Sequence, residues 1–155
     1  MRIGVDLLSI SRFSRVAGHE RYRTVLFTET ELTQALQSSP ERYAERLAGR
    51  FCVKEATCKV LGRGFGQGLR WRDIEVTNDR WGAPKVTLYG GARQIAEDAG
   101  LGEIVVTITH QVDLVVAVAA ATAAGQPHST RLAAARSTCL AHRRTTARIG
   151  ARPVG

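Results

Sequence analysis

The chain has 155 residues, 44% of them hydrophobic, and a formal net charge of +8. That length supports one domain with its own core and excludes two comfortable ones. The longest apolar run, Leu114 to Ala121, is far short of the ~18–20 residues that cross a bilayer, and Asp6 interrupts the stretch a signal peptide would need, so a soluble, cytoplasmic protein without membrane contact is expected.

The charge is unevenly spread. Arg131, Arg136, Arg143, Arg144, Arg148 and Arg152 supply six of the eight net charges, and no acid stands in 125–155, which leaves +2 for residues 1–124. A near-neutral core argues against nucleic acid as the partner. Gly125-Gln126-Pro127 also marks a change of composition. Beyond it Ala, Arg, Thr and Ser dominate, too little apolar surface to offset the entropy of ordering. A folded domain over 1–124 and a disordered or loosely helical basic tail over 125–155 are expected. Cys52, Cys58 and Cys139 have neither a disulfide framework nor zinc-ligand spacing, so reduced thiols are expected.

The elements follow in chain order. Arg2 to Leu8 is a short apolar strand. Ser9 or Ser11 caps a helix to about Ala17. Thr28-Glu29-Thr30-Glu31 fits a capping box opening a second helix. A third helix runs from Ser39-Pro40 to Gly62, with Leu47, Phe51, Lys54/Glu55, Cys58 and Leu61 at helical spacing. Gly62, Gly64, Gly66 and Gly68 make a loop. Asp73 to Thr77 and Lys85 to Tyr89 alternate as strands around an Asn78–Pro84 turn. Gly90 to Ala99 is a helix stopped by Gly100. Glu103 to His110 and Leu114 to Ala121 form a hairpin with Gln111-Val112-Asp113 as its turn. The order β-α-α-α-β-β-α-β-β has adjacent strands on short turns, which must pair antiparallel. The class is α+β, with helices on one face of an antiparallel sheet.

Three polar residues interrupt this pattern. Asp6 breaks an apolar strand, Glu55 sits mid-helix, and His110 ends a strand. Two carboxylates are hard oxygen ligands of the kind that hold Mg²⁺ together with waters and substrate phosphates. Each also has a plain structural role open to it. Asp6 can receive a helix cap or a salt bridge, Glu55 can pair with Lys59 one turn on, and His110 can be structural. Arg50 and Lys59 suit phosphate, and the glycine loop could bring amides to one, although it matches no P-loop pattern. No catalytic triad is visible, so a nucleophile would come from the substrate.

Taken together these segments resemble the small, single-domain phosphopantetheinyl transferases of the holo-(acyl carrier protein) synthase type. Gly4-Val5-Asp6 with Arg12 is similar to the family's Gly-x-Asp signature. Leu47-Ala48-Gly49-Arg50-Phe51-Cys52-Val53-Lys54-Glu55-Ala56 is close to its Ala-Gly-Arg-Phe-x-x-Lys-Glu-Ala block. Gly82-Ala83-Pro84 and Ile108-Thr109-His110 resemble its Gly-x-Pro turn and its histidine strand. Cys52 and Val53 stand where alanines are frequent, and Gln111 where a hydroxyl residue is common.

The resemblance covers about residues 1–123. It implies transfer of 4′-phosphopantetheine from coenzyme A to a serine of an apo-acyl carrier protein, in fatty-acid or polyketide biosynthesis, releasing adenosine 3′,5′-bisphosphate. It implies that Asp6 and Glu55 bind Mg²⁺, and that Glu55, Asp6 and Lys59 are catalytic. Arg50, Lys59, Pro84, His110 and Arg42 would line the coenzyme A site, while Arg12, Arg21 and Tyr22 would dock the carrier. A homotrimer with sites between subunits is implied as well. An inactive relative that binds coenzyme A or carrier without transfer, and a nucleic-acid-associated protein using the basic tail, are the competing expectations.

Overall fold

Two antiparallel sheets and five α-helices are found in a computed structural model that describes residues 1–37 and 39–125. β1 (Arg2–Ser9), β5 (Leu114–Ala123) and β4 (Leu101–Gln111) form one sheet in that spatial order, and β2 (Ile74–Asn78) pairs with β3 (Pro84–Leu88) in the other. Between β1 and β2 run α1 (Ile10–Ala17), α2 (Glu20–Leu26), α3 (Glu29–Leu36) and α4 (Pro40–Leu61), and α5 (Gly90–Asp98) joins β3 to β4. The α+β class and the antiparallel pairing are as expected from the sequence. The strands divide into two sheets where one was expected, and α2 is an additional helix. Its seven residues bury only Leu26, and its N-cap His19 makes no side-chain cap bond. With no apolar stripe and no cap, it left no helical signal. The tail expectation, and with it the nucleic-acid alternative, concerns residues outside those described.

Local chemistry explains most boundaries. Ser9 Oγ accepts from Arg12 N at 3.2 Å and starts α1. Thr28 and Glu31 form the reciprocal capping box: Thr28 Oγ1 accepts from Glu31 N at 3.3 Å, and Glu31 Oε2 accepts from Thr28 N at 2.8 Å. Ser39 forms no side-chain cap. Gly62, with φ of 71°, ends α4 in the left-handed conformation that glycine adopts without a Cβ penalty.

α4 runs through the middle of the domain over residues 1–124. Its Leu47, Ala48, Cys52, Val53, Ala56 and Val60 are buried, and it packs across β1 and β5, whose Val115, Ala117, Ala119 and Ala121 are buried at period two. The small side chains of β5 let the helix axis come close. Among the described residues no helix covers the opposite face of the three-stranded sheet, and Ile3, Val5, Leu7 and Val105 are exposed there. No described helix is long and apolar enough to cross a membrane.

Candidate active site

Chemistry gathers on both flanks of α4. On the β1 flank, Gly4 and Asp6 share the strand face turned to the helix. A Cβ at Gly4 would collide with the Ala56 carbonyl, so only glycine lets β1 lie this close. That approach brings Asp6 into the field of Glu55 and onto Lys59, one turn further along α4. Lys59 Nζ donates to Asp6 Oδ1 at 3.0 Å and also to the Val5 carbonyl. Glu55 is half-buried. Burial raises its pKa above the ordinary glutamate value, the charge of Asp6 raises it further, and Lys59 partly offsets both. Cys52 Sγ lies 3.3 Å from the Asp6 carbonyl. Burial and the negative neighbours Asp6 and Glu55 push the Cys52 and Cys58 thiols up to about 12, so both stay protonated, as expected for unreactive cysteines.

On the β4 flank lies a cavity of about 550 Å³ that includes Arg42, Arg46, Arg50, Arg80, Pro84 and His110 in its wall. β4 sets His110 opposite Val115 in the sheet register. Its Nε2 meets Glu45 Oε1 of α4 at 3.0 Å. Arg50 is 3% exposed and mostly used within the fold. Its Nε donates to the Val76 carbonyl at 3.0 Å, and its Nη2 donates to Gln34 Oε1 at 3.2 Å and Asn78 Oδ1 at 3.1 Å, which leaves Nη1 without a partner among the described residues. Burial lowers the Arg50 pKa, and Glu31 opposes that shift.

The expected residues therefore divide. Arg42, Arg50, Pro84 and His110 come together on one flank, and Asp6, Glu55 and Lys59 on the other. Nine residues of helix separate Arg50 from Lys59, about 13 Å of axial rise. Arg12, Arg21 and Tyr22 lie exposed on α1 and α2, beside the exposed Val16 and Val25. Sequence reasoning missed Glu45, Arg46 and Arg80, which reach the cavity only through tertiary folding. It also gave no role to Lys54, which is fully buried. Lys54 Nζ donates to Glu31 Oε2 at 2.9 Å, to the Trp71 carbonyl at 2.9 Å and to the Ile74 carbonyl, while Glu31 Oε1 accepts from Val76 N at 3.0 Å. This network ties α3, α4 and β2 together behind the site. The signal available was Lys54 at an interior helix position, three residues after Phe51.

Among the described residues, no group of three or more His, Cys, Asp or Glu could hold a metal ion. The donor set is two adjacent carboxylates. That is too few for an all-protein cage, but it fits a hard divalent cation whose other ligands are water and substrate oxygens.

Residues 2–119 match the 4′-phosphopantetheinyl transferase superfamily, and the chain belongs to it. Within that superfamily the similarity is to holo-(acyl-carrier-protein) synthases. The Moorella thermoacetica protein of that name is 40% identical over 71% of this chain and 84% of its own length. The Neisseria meningitidis synthase structure has a TM-score of 0.70 at 25% identity, covering 78% of this chain and 97% of that one. A Bacillus anthracis synthase solved in complex with coenzyme A (3′,5′-ADP) has a TM-score of 0.67 at 27% identity, covering 79% and 96%.

Proposed function

We propose that this protein transfers the 4′-phosphopantetheine arm of coenzyme A to a serine of an apo-acyl carrier protein, serving fatty-acid or polyketide synthesis in the cytoplasm. The observation that carries this is the pairing of a carboxylate cluster with an arginine-lined cavity on the two flanks of one helix. In the transfer, the carrier serine Oγ attacks the phosphorus that bears pantetheine. The phosphoanhydride bond to the nucleotide breaks, and adenosine 3′,5′-bisphosphate leaves.

Asp6 and Glu55 would hold Mg²⁺, which when bound supplies charge neutralisation at the pyrophosphate. Their crowding supports this, because burial and the charge of Asp6 both raise the Glu55 pKa, and a cation held there would offset that penalty. Lys59 adds a positive charge beside the breaking bond. Glu55, directly or through a water, takes the serine proton. Arg42, Arg46, His110 and Nη1 of Arg50 would bind the phosphates of the nucleotide half, with Pro84 shaping the wall. Arg12, Arg21 and Tyr22 offer a basic, partly aromatic surface suited to an acidic carrier helix.

The two flanks are turned to different sides of α4. Joining the carboxylates of one copy to the cavity of another would complete the site, which is the homotrimer reading. The sheet face that no described element covers supports it. Across β1, β5 and β4 it presents the rows Ile3–Ala120–Val105, Val5–Val118–Thr107 and Leu7–Val116–Thr109, and Ile3, Val5 and Leu7 are 57%, 49% and 61% exposed. A contiguous apolar face of this kind marks an association surface.

Intact-mass measurement of an apo-carrier incubated with the protein, coenzyme A and Mg²⁺ tests the reaction. The carrier should gain one phosphopantetheine arm, and the gain should vanish with chelator and with Asp6→Ala or Glu55→Ala. No gain across fatty-acid, polyketide and peptide-synthesis carriers would overturn the proposal.

A further inference from the structure

The tip of the β2–β3 hairpin leaves an indole in the open beside the arginine-lined cavity. Trp81 is 80% exposed, and its chain neighbours Arg80 and Gly82 both line the cavity. The tip is tightly held. Asp79 Oδ1 accepts from Trp81 N at 2.8 Å and from Ala83 N at 2.9 Å. Gly82 N donates to the Asp79 carbonyl at 3.0 Å, Asp79 N to the Ala83 carbonyl at 2.9 Å, and Asn78 Nδ2 to the Gly82 carbonyl at 2.9 Å. Gly82, with φ of 87°, supplies the left-handed step that closes the turn. The Arg80 guanidinium lies over the Trp81 ring, 5.0 Å from its centroid.

A large aromatic surface on a fixed turn contributes little to folding while it stays in water, but it is ready to take a flat partner at low ordering cost. The cavity beside it indicates what that partner is. Arg42, Arg46, Arg50 and Arg80 bring four guanidinium groups to its wall. Of the opposing carboxylates, Asp79 is engaged in the turn and Glu45 with His110. An anion site with an aromatic and an arginine at its rim suits a ligand with phosphates at one end and a flat base at the other.

We propose that Arg80 and Trp81 form a stacking platform for the purine base of the coenzyme's nucleotide half. This rests on the placement of that half in the same cavity, and it adds recognition of the base to recognition of the phosphates. Base stacking on one aromatic ring changes affinity on the order of tenfold. A coenzyme fragment without the base should therefore gain nothing from Trp81.

The chain has two tryptophans. Trp71 stacks on Phe65 within the fold, so the emission difference between wild type and Trp81→Phe isolates Trp81. Both proteins would be titrated with adenosine 3′,5′-bisphosphate, phosphopantetheine and inorganic phosphate, with bisphosphate binding followed in parallel by calorimetry. The bisphosphate should quench the Trp81 contribution saturably, and the two ligands that lack a base should leave it unchanged. Trp81→Ala should raise the KM for coenzyme A about tenfold without raising the KM for the carrier, and Trp81→Phe should recover most of the loss. Calorimetric binding of the bisphosphate with unmoved Trp81 emission overturns the platform and leaves the cavity assignment standing. So does a rise in carrier KM in place of coenzyme KM, which would make the ring a carrier contact. Absence of bisphosphate binding to the wild type overturns the cavity assignment, and the platform with it.

Discussion

Replacing Gly4 with alanine should pull the carboxylate cluster apart. The added Cβ would overlap the Ala56 main-chain carbonyl and stand 2.9 Å from Lys59 Cβ. Neither neighbour can swing away, because the Ala56 carbonyl and the Lys59 Cβ are both fixed to the backbone of a 22-residue helix. β1 must therefore lift from α4. Overpacking costs about 1–3 kcal/mol, and a collision with backbone belongs at the upper end. For a unit of roughly 120 residues, a melting entropy near 2.1 cal/mol/K per residue turns about 3 kcal/mol into a fall in Tm of about 12 °C. Asp6 moves with the strand while Glu55 stays on the helix, so the Mg²⁺ concentration for half-maximal transfer should rise as well. Circular dichroism melting and transfer rates over a Mg²⁺ titration read the two effects. Gly64→Ala is the control, since an added Cβ there meets nothing within 4 Å. A Gly4→Ala protein that melts within about 2 °C of wild type and keeps its Mg²⁺ midpoint would refute the reasoning.

Lys54→Met leaves Glu31 buried without its cation and should lower unfolding stability by about 3–5 kcal/mol, against about 0–1 kcal/mol for Lys59→Met at its half-exposed pair; urea unfolding of both variants ranks them. Glu55→Gln concerns pH. Because the folded-state pKa of Glu55 is raised, its neutral form favours folding at low pH, and that contribution is lost as pH rises through the folded value. The glutamine variant should thus melt above wild type at neutral pH without metal, the gap closing as pH falls from the raised folded value to the ordinary glutamate value, and Mg²⁺ should stabilise wild type alone. Thr57 Oγ1 is buried with no hydrogen-bond partner among the described residues, so Thr57→Val should be neutral or stabilise by up to about 1 kcal/mol; a lower Tm would reveal a partner.

The sequence announced what is local and periodic. The strand of Gly4 and Asp6, the Thr28–Glu31 capping box, the long helix to Gly62 and the final hairpin were all legible because caps and apolar spacing act over a few residues. α2 was not, since it is held by packing and by Arg23 Nη1, which donates to the Ala17 and Gly18 carbonyls at 3.1 and 3.2 Å. The division into two sheets depends on which strands meet, a long-range matter that periodicity does not encode. Asp6, Glu55 and His110 stood out as polar breaks in apolar segments. Glu45, Arg46 and Arg80 looked like ordinary surface charge, and Lys54 like one more helical lysine, because the partner of Glu45 lies 65 residues away and those of Lys54 from 17 to 23.

The proposed transfer site is built by a carboxylate flank and a cavity flank from two copies of the chain. Asp6→Ala/Glu55→Ala and Arg42→Ala/His110→Ala would be prepared separately, shown inactive, then partly unfolded together and refolded as a mixture, with carrier mass as the readout. Random assembly makes roughly a quarter of the sites intact on both sides, so transfer should return to about that fraction of the wild-type rate. A mixture that associates fully and stays inactive would contradict the account.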